Sequence, residues 1–238
     1  NPGIKVKPIY AGNYDDARIK ALAALKAGQP AQISVLFSID IYELLEQDVI
    51  IPWDDVATSA EDKAWIKSFY PALMMNGTYK GKAYGIPFQR STIVMYWNKD
   101  AFKEAGLDPE KAPANWTEMT AMAQKLVKKG AQGNTSRYGI EIPSSQPDCY
   151  WPFQAMVTEA GGTMASPDGK KTYFDSPEMN KSLNYWLSLI KSGAMPSGIT
   201  AWATVPADFL AGKTAMMWHT TGNLVRVNKE AKFPVGVA

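Results

Sequence analysis

Apolar and polar positions along this chain change rhythm repeatedly, between the two-residue period of strands and the 3.6-residue period of helices. Residues 4–10 read as a strand, and residues 32–37 are a short β-branched, apolar run that reads as a buried parallel strand. Between them, residues 15–27 carry a helical pattern with Asn13 or Asp15 near its cap and Gly28 just past its end, which predicts one βαβ unit. Residues 41–47 and 61–69 predict short helices, with 50–54 kept extended by Pro52. Glycines set between aromatic residues in Tyr79-Lys80-Gly81-Lys82-Ala83-Tyr84-Gly85-Ile86-Pro87 predict a tight hairpin. Residues 91–97 predict a strand almost free of charge, and 99–105 a helix closed by Gly106. A helix over 117–129 places Met119, Met122, Ala123, Leu126 and Val127 on one face. Next come a strand at 138–142 and a helix at 151–160 ended by Gly161-Gly162. The clearest helical pattern covers 177–191, capped by Asp175 or Ser176, with Pro177 in its first turn and Met179, Leu183, Trp186, Leu187 and Ile190 as its buried stripe. A helix at 208–211, a strand at 214–218, a helix at 224–230 and a strand begun at 233–237 complete the pattern.

Such alternation predicts an α/β architecture of mainly parallel sheets covered by helices. No internal repeat or Ser/Gly-rich linker interrupts it, so two lobes joined by structured strands are expected. Residues 1–92 and 93–238 are the two expected lobes, the change falling at the strand over 91–97. The chain opens on a strand and stops within another, as a fragment of a longer protein would.

Composition narrows the function. At 238 residues with 46% hydrophobic residues, the chain can bury a sizeable core. Its 25 basic and 23 acidic residues leave a net charge of +2, too even for a protein whose affinity comes from neutralising nucleic-acid phosphates. A single cysteine, Cys149, excludes an internal disulfide and a Cys-rich zinc site. The sequence has one histidine, His219, and no G-x-S-x-G elbow accompanies it, which argues against acyl-transfer hydrolysis. No H-E-x-x-H, Walker loop, G-x-G-x-x-G or EF-hand loop occurs, so neither a cofactor nor a metal is expected. A glycosidase needs only two well-separated carboxylates, which sequence does not forbid. A carbohydrate-active enzyme or lectin-like module therefore stays open beside a non-enzymatic binding protein.

Eight tryptophans and eleven tyrosines are a generous supply, and carbohydrate-like ligands are held by aromatic faces and hydrogen bonds to hydroxyls. Trp97 and Trp186 sit on core-facing patterns. Tyr150 and Trp151 instead follow the polar loop at 143–148 and begin a helix, the position beyond a strand end where open α/β folds place ligands. Arg90, Ser91 and Thr92 bring a guanidinium and two hydroxyls to the lobe boundary, suited to a phosphate, carboxylate or sugar hydroxyl. His219-Thr220-Thr221-Gly222 links a strand to a helix, where backbone N–H groups and hydroxyls form an anion or hydroxyl site. Tyr14 occupies the corresponding strand-to-helix loop of the first unit.

The most specific pattern is Met95-Tyr96-Trp97-Asn98-Lys99-Asp100-Ala101-Phe102-Lys103-Glu104-Ala105-Gly106-Leu107-Asp108-Pro109, continuing to Ala114-Asn115-Trp116-Thr117-Glu118. With the hairpin sequence and Phe209-Leu210-Ala211-Gly212-Lys213-Thr214-Ala215-Met216, it resembles the extracellular solute-binding proteins of ABC importers, the family of maltose- and glycerol-3-phosphate-binding proteins. The resemblance implies a two-lobe, type II periplasmic-binding-protein-like fold, here incomplete at both ends. It implies hinge closure on a sugar, polyol or phosphorylated solute for delivery to ABC permease subunits, a periplasmic or extracytoplasmic location, and a monomer. The glycerol-3-phosphate branch is the nearest, and its ligand contacts transfer to Tyr14, Ser91, Tyr150 or Trp151, and Thr220, with Thr221 and Gly222 in the same loop. The branch's acidic residue after the second strand is replaced by Phe37, with Asp40 the nearest carboxylate, and one of its loop serines is replaced by Arg90. An arginine and a tyrosine of that branch's site have no counterpart in this chain. These changes imply a different or more anionic ligand.

Overall fold

The computed structural model describes residues 3–145 and 149–238. The chain divides into two compact units, Asn1–Arg90 and Ser91–Ala238. No helix among the described residues is long and apolar enough to cross a membrane.

Unit 1 is built from short helices. Helix α1 (Tyr14–Lys26) starts in a reciprocal capping box, in which Asn13 accepts from the Asp16 amide and Asp16 accepts from the Asn13 amide. After a 3-10 turn come α2 (Ile41–Glu46), α3 (Trp53–Val56), α4 (Ala60–Lys67) and α5 (Pro71–Met74). Strands β1 (Thr78–Tyr79) and β2 (Lys82–Ala83) form the hairpin, whose two central residues, Lys80 and Gly81, both have positive φ (47° and 79°). That pairing matches the right-handed twist of its strands, and Gly81 takes its conformation at no steric cost. Trp53, Trp65 and Phe69 pack edge to face, though Trp65 is exposed, and among the described residues of this unit few side chains are buried, Ile41, Leu44, Ala57 and Ala83 among them.

Unit 2 holds a five-stranded sheet in the order β4-β5-β6-β3-β7, from β3 (Ile93–Asn98), β4 (Lys128–Lys129), β5 (Thr135–Glu141), β6 (Thr214–Thr220) and β7 (Val235–Val237). Its helices are α6 (Lys99–Glu104), α7 (Trp116–Leu126), α8 (Tyr150–Glu159), α9 (Pro177–Lys191), α10 (Thr204–Leu210) and α11 (Leu224–Glu230). Strand alternation sends Met95 and Trp97 to one face, where they pack with Phe102, Met119, Leu126, Met156 and Leu189, and Tyr96 to the other, with Val205, Phe209, Met217 and Val227. Both faces are thus covered by helices.

Several expectations are corrected. Residues 4–10 and 32–37 run without ladder partners, so the βαβ unit does not form; Ile4, Val6, Ile9, Ile33 and Val35 are exposed and Tyr10 is so at 93%, while Leu36 and Phe37 are half-buried. β-propensity expresses packing on a pleated surface, and no paired strand lies beside these segments among the described residues. Among the described residues only β5 and β6 pair in parallel; the other pairs are antiparallel, so the sheet is not mainly parallel. The segment at 50–54 is not extended throughout, because Pro52 serves as the N-cap of α3. Helix α7 stops at Leu126, and Lys128–Lys129 pairs with β5 instead. Helix α9 has the expected bounds but a rotated inner face: Met179, Ser182, Tyr185 and Leu189 are buried, while Leu183 is 46% exposed and Leu187 is 37% exposed. Tyr185 stacks on Trp116 at 4.4 Å and 14°, and the Ser182 hydroxyl donates to the Glu178 carbonyl, so a small polar residue can face inward. The loop at 143–148 is described only to Ser145; Gln146, Pro147 and Asp148 lie outside the described residues.

Candidate functional site

Sheet direction decides which loops meet in unit 2. Strand β5 is parallel to β6, so the carboxyl ends of both lie at one edge. Strand β3 is antiparallel to β6 with Ile93 opposite Thr220, so its amino end reaches the same edge. Ser91 and Thr92, the loop after Glu141 and the 219–222 loop are therefore neighbours, at the carboxyl edge where α/β sheets take ligands. Backbone bonds fix the arrangement. Thr221 donates its N–H to the Thr92 carbonyl at 2.9 Å, and the Thr221 hydroxyl accepts from the Thr92 amide at 3.3 Å. Thr220 accepts the Gly222 N–H at 3.0 Å. Two of the loop's amides, Thr221 and Gly222, are thus engaged inside the protein, and the hydroxyls of Thr220 and Thr221, which both accept in these bonds, keep their protons to donate to a solute. Ser91 is exposed at this edge.

The loop at 198–202 is sewn to the 142–145 segment. Ser144 accepts from the Thr200 amide at 2.8 Å, the Ser144 and Ser145 amides donate to the Thr200 carbonyl at 2.9 and 3.1 Å, and Ser145 accepts from the Trp202 amide at 3.3 Å. This brings the Trp202 ring against two others. Trp151, on the first turn of α8 beside Tyr150, lies 6.0 Å away and tilted only 17°; His219 lies 4.0 Å away at 47°. The structure thus joins Trp151 to the His219-Thr220 strand end through a residue the sequence did not single out. Trp202 lies in no periodic segment and 51 positions after Trp151, so the sheet topology, not local pattern, makes them neighbours.

His219 is fully buried and works as a strut. Its Nε2 stands 3.0 Å from the Trp202 carbonyl and its Nδ1 2.6 Å from the Asn223 amide nitrogen. A carbonyl can only accept, so Nε2 carries the proton and Nδ1 accepts from Asn223. Burial, with the Arg226 charge adding to it and the Trp202 carbonyl opposing, lowers its pKa to about 4, so the ring is neutral at physiological pH. It offers no positive charge to an anion.

In unit 1 the sequence-derived residues fall in three places. Tyr14 and Phe37 stack face to face at 5.2 Å and 13°, and Gln89 donates to the Tyr14 hydroxyl at 2.9 Å. Where an acidic residue was expected to be replaced, an aromatic ring lies on the tyrosine. Asp40 is apart from them in function: it sits 3.7 Å from the Arg18 guanidinium, which also pairs with Glu43 at 2.7 Å. Burial raises the Asp40 pKa against the lowering pull of Arg18, with Asp15 and Glu43 adding to the rise. Arg90 is exposed and donates to the Leu73 carbonyl at 2.9 Å.

The family of bacterial extracellular solute-binding proteins matches residues 1–238. The sn-glycerol-3-phosphate-binding periplasmic protein UgpB of Escherichia coli strain K12 is 30% identical over 244 residues, covering 100% of this chain and 54% of its own length. The chain thus spans about half the length of such relatives. Among solved structures, Mycobacterium tuberculosis UgpB in complex with glycerophosphocholine is similar over 100% of this chain and 59% of its own, with a TM-score of 0.85 at 23% identity. The maltose/maltodextrin-binding domain MalE of Bdellovibrio bacteriovorus, bound to maltotriose, covers 100% and 58% with a TM-score of 0.79 at 20% identity. A solute-binding protein of Agrobacterium vitis S4 with bound D-mannitol covers 100% and 57%, with a TM-score of 0.72 at 25% identity. By its fold, which is the type II binding-protein fold over little more than half of these structures' length, and by a family match along its whole sequence, the chain belongs to the bacterial extracellular solute-binding protein family.

Proposed function

We propose that this chain is the solute-capturing part of an ABC importer, that it takes a sugar, polyol or phosphorylated polyol outside the cytoplasm for a membrane permease, and that it catalyses nothing. The observation that carries this reading is the Trp151–Trp202 pair at the carboxyl edge of β5 and β6, the edge that also carries the Thr220-Thr221-Gly222 loop. Flat aromatic faces and hydroxyl-bearing loops at one sheet edge suit C–H surfaces and hydroxyls. The UgpB relatives, named for sn-glycerol 3-phosphate, and the mannitol- and maltotriose-bound structures support this range of solutes. Tyr14 with Phe37 in unit 1, and Ser91, Tyr150, Trp151 and the Thr220-Thr221-Gly222 loop in unit 2, are the proposed contacts. Arg90 is the proposed partner of an anionic group, and Asp40 a carboxylate held in reserve by Arg18.

Calorimetric titration of the protein expressed at the full length of its gene, against sn-glycerol 3-phosphate, glycerophosphodiesters, polyols and maltooligosaccharides, tests the reading. Binding of one class is expected; no binding tighter than about 1 mM for any of them overturns it. Turnover of a glycoside under the same conditions would favour an enzyme instead. For Arg90, an alanine variant should weaken an anionic solute, and unchanged affinity removes it from the site.

A further inference from the structure

We infer that Gln89 is a positioning residue for solute capture: it fixes the Tyr14 hydroxyl as a donor toward an oxygen that can only accept, such as that of a phosphate. The inference rests on the binding-protein reading above, in which Tyr14 contacts solute. The two residues meet within unit 1, where the Gln89 side-chain amide donates to the Tyr14 hydroxyl at 2.9 Å.

A phenolic hydroxyl has one proton to give and lone pairs to receive with. The Gln89 nitrogen can only donate, so it occupies a lone pair and leaves the proton unspent. Among the described residues, nothing accepts that proton. The ring is fixed as well. Tyr14 opens α1 directly behind the Asn13–Asp16 capping box, and it stacks on Phe37 at 5.2 Å and 13°. One ring face is thus occupied, and the hydroxyl is where Tyr14 keeps bonding capacity. Gln89 is exposed and Tyr14 half-buried, so the pair stands within reach of solvent.

Charge makes the direction of that hydroxyl matter. Asp15 and Asp16 share the first turn of α1 with Tyr14. An anionic oxygen arriving there meets their repulsion, which donated protons offset. A hydroxyl that donated into the protein would instead show the oxygen its lone pairs. Arg90, next in the chain and also in unit 1, spends one N–H on the Leu73 carbonyl and keeps others. A guanidinium and a free phenol proton both match oxygens that carry no proton of their own. A polyol hydroxyl, which donates as readily as it accepts, needs no such fixed polarity.

Glutamate is the reversing substitution. Its carboxylate only accepts, so in Gln89→Glu the Tyr14 proton is spent on residue 89. Calorimetry on the protein expressed at the full length of its gene, at neutral pH, compares sn-glycerol 3-phosphate affinity in wild type, Gln89→Glu, Tyr14→Phe and the double variant. Solute-free melting curves check that each folds. The added charge repels phosphate in both backgrounds, whereas the direction of the proton depends on Tyr14. Expected is a loss on Gln89→Glu about tenfold greater with Tyr14 present than in the Tyr14→Phe background. Gln89→Met, which removes the donor without adding charge, should cost about threefold with Tyr14 present and nothing measurable in the Tyr14→Phe background. Equal losses in the two backgrounds would mean charge alone, or an amide carbonyl already accepting from Tyr14; they overturn the inference and leave the binding-protein reading intact. Unchanged affinity in Tyr14→Phe does the same. A wild type that binds D-mannitol or maltotriose but not sn-glycerol 3-phosphate overturns the acceptor-only assignment. Absence of binding to all three overturns both the inference and the reading beneath it.

Discussion

His219 and Glu141 lie on the same side of the unit 2 sheet and titrate in opposite directions. Glu141 is 4% exposed, its Oε2 has no hydrogen-bond partner, and burial, with the Asp208 charge adding and Lys213 opposing, raises its pKa from 4.5 to about 7. The folded state therefore holds its proton more tightly than the unfolded chain. Its contribution is complete below pH 4.5 and is lost as pH rises through about 7. His219 is the reverse: with a pKa lowered from 6.5 to about 4, its contribution is complete above pH 6.5 and is lost as pH falls through about 4. Over the shared window the two effects offset. Glu141→Gln should expose a stability that rises with pH between about 4 and 6.5, and His219→Gln one that falls between 4.5 and about 7, each read from urea midpoints across a pH series. Profiles parallel to the wild type would show that neither group titrates in this way. Truncation to His219→Ala strands the Trp202 carbonyl and the Asn223 amide and should cost about 2–4 kcal/mol.

At the level of elements, helices were legible where caps and periodicity agreed, and faces were legible only where local chemistry did not intervene. The bounds of α9 follow from Ser176, Pro177 and the apolar period, but its inner face is set by Tyr185 seeking Trp116 and by Ser182 closing on its own backbone, which hydrophobicity alone does not show. The motif around Asn98 was legible for a physical reason: Asn98 is buried and caps α6 by accepting from the Ala101 amide at 3.0 Å. In the site, Tyr150, Trp151 and Thr220 were legible as residues just beyond strand ends. Trp202 was not, because its partners come from other elements. Close backbone approach is a further device hidden from pattern reading. A Cβ on Gly139 of β5 would run into the Ala123 carbonyl of α7, far inside contact distance and against backbone that cannot turn aside. Gly139→Ala should therefore lower stability by about 2–3 kcal/mol despite the gain in β-propensity. A thermal melt equal to wild type would mean that α7 and β5 can separate freely.

For the whole molecule, burial is uneven, and that asymmetry is measurable. Unit 2 carries two hydrophobic clusters on the two faces of one sheet, whereas unit 1 buries few side chains and leaves residues 4–10 and 32–37 without ladder bonds. Local stability follows such differences, so in this 238-residue chain the amides of β3, β5 and β6 should exchange slowest and those of 4–10 and 32–37 fastest. Solute extends the same measurement to function. A solute at one hundred times its dissociation constant, bound only to the folded state, adds about 2.7 kcal/mol to stability. If Tyr14 and Phe37 contact solute as well as Trp151, Trp202 and Thr220, exchange in the full-length protein should slow around residues 14–37 and around 198–223 together. Slowing confined to 198–223 would restrict recognition to the carboxyl edge of β5 and β6 and remove the Tyr14–Phe37 stack from the site.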